Sequence, residues 1–279
     1  MKRWLIARRI VQVAVWVILS VPVLYYGFSL LGLTASSDVR VPTPSDAVIF
    51  GSLSSSDIFG ITLIDPYAML QVALAARSFE LAWLWAVLPI FLFYVVLGAR
   101  VFCGWVCPVN LVLEFTEWLR KKLKIQGANR QLPRKSKVAV MVIFLLLAFA
   151  VAQPLFETIS PIAALGKTLL FGSLAGLGTL VGIIILELFW APRIWCRSLC
   201  PLGGFYQLFG RIGIFRPHIN LEDCTQCEKC KEVCLASPEI LDPALNAEAD
   251  KGKVWAGDCM RCGACIDACP SKCLKMRSY

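Results

Sequence analysis

The sequence predicts an all-α integral membrane bundle of four helices, followed by a small cysteine-rich α+β domain. Three observations lead there. The mean hydropathy is +0.68 and 58% of residues are hydrophobic, which is too apolar for a soluble domain. Four apolar stretches reach the roughly 20 residues that a spanning helix needs. From about Leu221 onward the chain turns polar and cysteine-dense. Residues 1–220 are therefore expected as the four-span domain and 221–279 as a cytoplasmic domain.

The expected spans run from Ile10 to Leu33, Leu81 to Phe102, Val138 to Phe156 and Leu169 to Trp190. Lys2, Arg3, Arg8 and Arg9 precede the first, as in a signal peptide. Its apolar core of about 24 residues exceeds the 7–15 of a signal sequence, so it reads as a retained helix. With the N-terminus inside, the outer loops hold only Arg40, Arg77 and Lys167, and the other 25 of 28 basic residues lie inside. The positive-inside rule then places both termini in the cytoplasm of a multi-pass protein of the bacterial inner membrane. The same rule accounts for the net charge of +9 without nucleic acid. Some inner basic residues also suit anionic lipid.

The four spans read as a duplicated two-helix unit. "DPYAMLQVALA" at 65–75 precedes span two and "SPIAALGKTLL" at 160–170 precedes span four. After each span come a basic residue (Arg100, Arg193), an aromatic (Phe102, Trp195) and the motif C-x3-C-P, as "CGWVCP" at 103–108 and "CRSLCP" at 196–201. A pseudo-twofold along the membrane normal would gather Cys103, Cys107, Cys196 and Cys200 on one inner face. Gly172, Gly176, Gly178 and Gly182 suit close helix packing, and Trp83, Trp85, Trp190 and Trp195 suit an aromatic belt.

The tail carries the most specific signal. "CTQCEKCKEVC" at 224–234 has the spacing C-x2-C-x2-C-x3-C, and "CMRCGACIDACP" at 259–270 repeats it. This is the bacterial ferredoxin run, in which the fourth cysteine ligates the other cluster. It predicts a ferredoxin-like domain with two [4Fe–4S] clusters. Cys224, Cys227, Cys230 and Cys269 would hold one; Cys259, Cys262, Cys265 and Cys234 would hold the other. Disulfides do not suit a reducing compartment, and the repeated spacing is not a zinc pattern. Leu235 stands where a proline is usual, and an insert separates the runs; neither removes a ligand. Gly263 suits a tight backbone, and Cys273 reads as a bystander.

The lone histidine, His218, lies outside the spans and excludes bis-His haem. There is no G-x-G-x-x-G and no P-loop. Glu187, inside the fourth span, is a candidate for proton handling or quinol binding, since an ionisable residue there is costly; the other reading pairs it with Arg100 or Arg193. For Cys103, Cys107, Cys196 and Cys200 three readings stand: packing at a helix junction, a thiol–disulfide switch, or a shared third iron–sulfur centre. The proline after each pair suits the first turn of a new helix.

Four spans, two C-x3-C-P motifs and a two-cluster tail resemble the NapH-type membrane ferredoxins, the membrane component of the quinol dehydrogenase serving periplasmic nitrate reductase. "DPYAMLQ" and "CMRCGAC" belong to the resemblance. It implies an electron-transfer component taking electrons from menaquinol or ubiquinol toward a periplasmic ferredoxin of the NapG type, a c-type cytochrome and the reductase. A different class of function is a membrane iron–sulfur maturation or regulatory factor for a respiratory reductase or oxidase. Such a factor would be akin to the core of the NosR type or to copper oxidase accessory proteins.

Overall fold

The computed structural model describes residues 3–30, 49–51, 54–58, 61–125, 132–164, 175–246 and 251–279. In chain order the helices are α1 (Arg3–Leu30), α2 (Pro66–Ala76), α3 (Leu81–Leu97), α4 (Pro108–Lys122), α5 (Ser136–Val151), α6 (Leu155–Ile159), α7 (Ala175–Phe189), α8 (Pro201–Phe209), α9 (Lys229–Glu232), α10 (Asp242–Leu245) and α11 (Ala264–Ala268). The strands are β1 (Ile49–Gly51), β2 (Ser55–Ile58), β3 (Ile61–Ile64), β4 (Phe215–Ile219) and β5 (Leu274–Ser278). Five-residue π-helical turns occupy Phe102–Val106 and Trp195–Leu199.

The four-span membrane bundle does not hold. Among the described residues no helix is long and apolar enough to cross a membrane. The apolar runs continue through helix ends. α3 has 17 residues and contains Pro89; at 1.5 Å per residue it reaches about 26 Å, short of the roughly 30 Å hydrocarbon layer. It stops because Gly98 turns to φ +120° and Ala99 also takes a positive φ. These small residues kept the run apolar while breaking the helix. α5 has 16 residues and ends before Ala152, again at positive φ. α7 has 15 and ends before Ala191–Pro192. α1 is longer, at 28 residues, and carries Arg3, Arg8, Arg9 and Gln12 toward its N-terminus. Arg40, Lys167 and Gly172 lie outside the described residues. Among those described, nothing stands within 4 Å of a Cβ built on Gly178 or Gly182.

The chain forms two compact units. One comprises residues 13–91 and 144–184. Its strands make an antiparallel meander, β1-β2-β3, with Ile49 opposite Ile58 and Ser55 opposite Ile64. The "DPYAML" stretch is a capped helix start. The Asp65 carboxylate accepts from the Tyr67 and Ala68 amides, both at 3.1 Å, and Pro66 takes the first turn, where its missing N–H costs nothing. Tyr67 packs edge-on against Phe156, and the Gln71 side chain accepts from the Phe156 amide at 3.1 Å.

The other unit comprises residues 1–12, 92–143 and 185–279 and holds every cysteine. Its two-stranded sheet pairs β4 with β5 antiparallel, Phe215 opposite Ser278 and Ile219 opposite Leu274. The cysteine-rich segments lie between these strands in sequence, so the sheet closes them into one ferredoxin-like module. Trp4 and Leu5 amides donate to the Asp267 carboxylate at 3.3 and 2.9 Å, which ties the N-terminal segment to α11.

Candidate iron–sulfur sites

The first tail site is a cleft. Cys224, Cys227, Cys230 and Cys269 line one open cleft together with Cys273, Ile219, Leu245 and Leu274. These are the four cysteines that the spacing assigns to one cluster. Cys273, expected as a bystander, shares the cleft, its sulfur 3.4 Å from that of Cys269. The spacing could not show this, because Cys273 reaches the site through the turn into β5. The left-handed backbone at Gln226 and Glu228 lets the loop double back, so that three cysteines within seven residues face one space.

The second set converges likewise. Cys234, Cys259, Cys262 and Cys265 stand close enough to influence one another's ionisation in every pairing. Burial pushes the thiols of Cys234 and Cys259 up, to about 12 and about 11. A thiol in such a place stays protonated unless a metal takes the proton's place. Gly263 has φ +72°, and a Cβ there would strike the Trp4 ring at 2.4 Å, so two separate constraints exclude a side chain. Among the described residues no three His, Cys, Asp or Glu side chains converge on a single-ion site. A polynuclear cluster several ångströms across holds its ligands farther apart than one ion does. Both cysteine sets therefore suit a [4Fe–4S] group in donor type and in arrangement.

The two C-x3-C-P motifs adopt one shape. In each, the second cysteine leaves the π-turn in extended conformation, Cys107 at φ −62°, ψ 119° and Cys200 at φ −69°, ψ 112°. The Cys107 amide donates to the Phe102 carbonyl at 2.9 Å and the Cys200 amide to the Trp195 carbonyl at 2.8 Å. Pro108 and Pro201 then open α4 and α8. Continuous helices would have put each cysteine pair on one face; the break aims them inward instead. All four thiols influence one another's ionisation.

These turns abut the second tail set. A Cβ built on Gly104 would lie 2.9 Å from the Met260 carbonyl oxygen and 3.5 Å from the Cys262 Cβ. Trp105 Nε1 donates to the Arg261 carbonyl at 3.1 Å, and Arg197 donates to the Cys234 carbonyl at 2.9 Å. Arg100, 1% exposed, donates to the Asp258 carbonyl at 2.8 Å and the Cys196 carbonyl at 3.1 Å. Arg261 donates to the Gly98 carbonyl and, at 2.9 Å, to that of Gly210. Arg197 and Arg261 are neighbours that the sequence did not single out, whereas Arg100 stood out as part of the repeat. The signal for Arg100 was position, since it and Arg193 each stand three residues before a motif cysteine.

Glu187 is buried and held by backbone amides. One carboxylate oxygen accepts from the Trp195 amide at 2.9 Å and the other from the Arg193 amide. It fastens the turn that leads into Cys196. Arg193 pairs instead with Glu117 at 2.9 Å and Asn110 at 3.0 Å.

Two tetracysteine sets on a compact β–α–β frame define a ferredoxin-type iron–sulfur protein with an electron-transfer role. Residues 79–126 and 168–222 match the family described as 4Fe-4S binding domain, and residues 216–270 match the 4Fe-4S dicluster domain. The methylamine utilization ferredoxin-type protein MauN of Methylorubrum extorquens is 37% identical over 232 residues, 82% of this chain and 79% of that protein. The ferredoxin-type protein NapH of Haemophilus influenzae is 35% identical over 82% of this chain and 80% of its own length, and that of Escherichia coli 27% over 96% and 86%. The chain belongs to this family of MauN and NapH ferredoxin-type proteins. No solved structure matches it.

Proposed function

We propose that the protein relays electrons from membrane quinol to a partner redox protein. In the NapH likeness, the route leads through a periplasmic ferredoxin and a c-type cytochrome toward nitrate reduction. The observation that carries the reading is the direct packing of both C-x3-C-P turns on the segments that bear Cys234 and Cys259–Cys262. Bound [4Fe–4S] groups supply one-electron chemistry. The chain's own part is to hold them. Cys224, Cys227, Cys230 and Cys269 line one site; Cys234, Cys259, Cys262 and Cys265 line the other. Cys259 is buried and Cys234, Cys262 and Cys265 are half-buried, and Arg261 fixes their loop.

Work at the bacterial inner membrane is part of the proposal. Leu81, Trp85, Leu88, Leu92, Phe93 and Leu146 are exposed, and apolar surface of this kind marks a membrane or partner contact. The comparable identity to MauN favours a second setting for the same relay, a methylamine-utilisation system.

The test is quinol-driven bleaching of the iron–sulfur absorbance in washed membranes containing the protein. Addition of a reduced quinone analogue should bleach it on the timescale of respiration. Absence of the protein from the membrane fraction, or bleaching only by dithionite, would sink the reading and favour a maturation or regulatory role.

A further inference from the structure

Five cysteines share the first tail cleft, and a [4Fe–4S] group takes four thiolates. Cys224, Cys227, Cys230, Cys269 and Cys273 all line it, while the dicluster match covers residues 216–270 and leaves Cys273 out. The fold holds this fifth thiol in place. The Cys273 carbonyl accepts from the Asn220 amide at 2.9 Å, and the next residue, Leu274, pairs with Ile219 in the β4–β5 ladder. Lys272, at φ +55°, turns the chain between the two cysteines, and its amide donates to the Cys269 carbonyl at 3.4 Å. The turn leaves the Cys269 and Cys273 sulfurs 3.4 Å apart. Two sulfurs so close present themselves to the same corner of a cluster, and a cubane iron takes one of them.

The two sulfurs stand in different surroundings. Cys269 is half-buried, and its Sγ lies 3.5 Å from the hydroxyl of the exposed Ser271. Cys273 is 5% exposed, where the chain enters β5. Hydrogen bonds to the sulfurs and solvent exposure set a cluster's potential. Both stabilise the more negative, reduced state, so ligation by Cys269 raises the potential relative to ligation by Cys273. Exchange between them needs no oxidant or reductant. The bond from iron to Cys269 Sγ breaks, the bond from the same iron to Cys273 Sγ forms, and the proton of the Cys273 thiol passes to Cys269 Sγ.

We propose that Cys273 is a second, exchangeable ligand at the first tail site, taking the iron that Cys269 releases and so giving the site two potentials. This rests on the reading of the cleft as a [4Fe–4S] site and is independent of the donor that reduces the protein.

The experiment measures iron and sulfide per chain, reduction potentials and EPR spectra of the full-length protein, purified anaerobically. A Cys224→Ala/Cys227→Ala variant is the control and should lose one cluster, about four irons per chain. Cys269→Ala should keep the wild-type iron content, with a lower potential at the first site than Cys273→Ala. The variant lacking both Cys269 and Cys273 should lose iron from that site. Iron loss in Cys269→Ala equal to that of the variant lacking both overturns the exchange, as do equal potentials in the two single variants. Full iron in the control overturns instead the assignment of a cluster to this cleft. Should Cys269→Ala fail to accumulate, alkylation of the wild-type protein decides. Trypsin cuts after Lys272 and separates the two cysteines. Exchange places one iodoacetamide label per chain on this pair, on Cys269 in some molecules and on Cys273 in others. Label on Cys273 alone, or on neither, overturns it.

Discussion

The two C-x3-C-P motifs share a backbone and differ in what they touch. "CGWVC" and "CRSLC" have only the cysteines in common, yet each forms a five-residue π-turn followed by an extended cysteine and a proline-led helix. π-Turns are rare and gather at functional sites. The first motif meets the tail with bare backbone, since Gly104 lies against Met260 and Cys262. The second meets it with a side chain, because the matching residue, Arg197, reaches the Cys234 carbonyl. The two arginines before the motifs also cross over. Arg100 reaches the Cys196 carbonyl, and Arg193 reaches Asn110 and Glu117 in α4. The cysteines thus fix the shape of each turn, and the residues between them decide its neighbour.

Exchanging the matched residues tests that division most severely. Gly104→Arg should cost about 3 kcal/mol or more, because the added atoms meet a backbone carbonyl and not a movable side chain. Arg197→Gly should cost about 1 kcal/mol for its one bond to Cys234, plus the helix entropy of glycine. Urea unfolding of both variants measures the gap. Equal losses would mean that the two turns do not differ as described.

Asp258 probes what joins the motifs to the tail. Burial alone would raise its pKa, but the Arg134 fork, with Lys137 and Arg100 beside it, outweighs burial and holds the carboxyl below its ordinary value of 3.8. The folded value lies below the unfolded one, so the stabilisation is complete above about pH 4–5 and fades as pH falls through the folded value. Asp258→Asn should lose about 3 kcal/mol at neutral pH, and the difference from wild type should shrink below pH 4. A difference independent of pH would show that the carboxylate charge is not what matters.

Glu187 acts on one motif alone, which gives a smaller effect. Its two oxygens accept from amides before Cys196, and residue 94, at the matching place before Cys103, is a tyrosine. Glu187→Gln should cost about 1–2 kcal/mol, because an amide NH2 replaces one acceptor. Hydrogen exchange should quicken at Arg193 and Trp195 and stay unchanged at Phe102–Val106. Equal quickening in both turns would break the distinction.

The sequence by itself carried the ferredoxin-type cysteine spacing, and residues 216–270 match a 4Fe-4S dicluster domain. Spacing puts three thiols within one loop of each other, and exchange of the fourth between runs follows from chain reversal; the cleft of Cys224, Cys227, Cys230 and Cys269 was legible for that reason. Proline after each C-x3-C motif marked a helix start, and both helices begin there. Tertiary structure decided what periodicity cannot carry. Apolar composition ran through Gly98–Ala99 and past Ala152, so it could not tell a long helix from two short elements joined by a turn. Cys273 joined the cleft only through the path into β5. Glu187 read as a quinol or proton site or as a partner of Arg100 or Arg193; folding brought backbone amides six and eight residues away onto its oxygens. Arg100, Arg193, Arg197 and Arg261 became partners of distant carbonyls and carboxylates for the same reason. A buried cation is satisfied by whatever the fold places within about 3 Å, and that choice is made by packing and not by sequence neighbours.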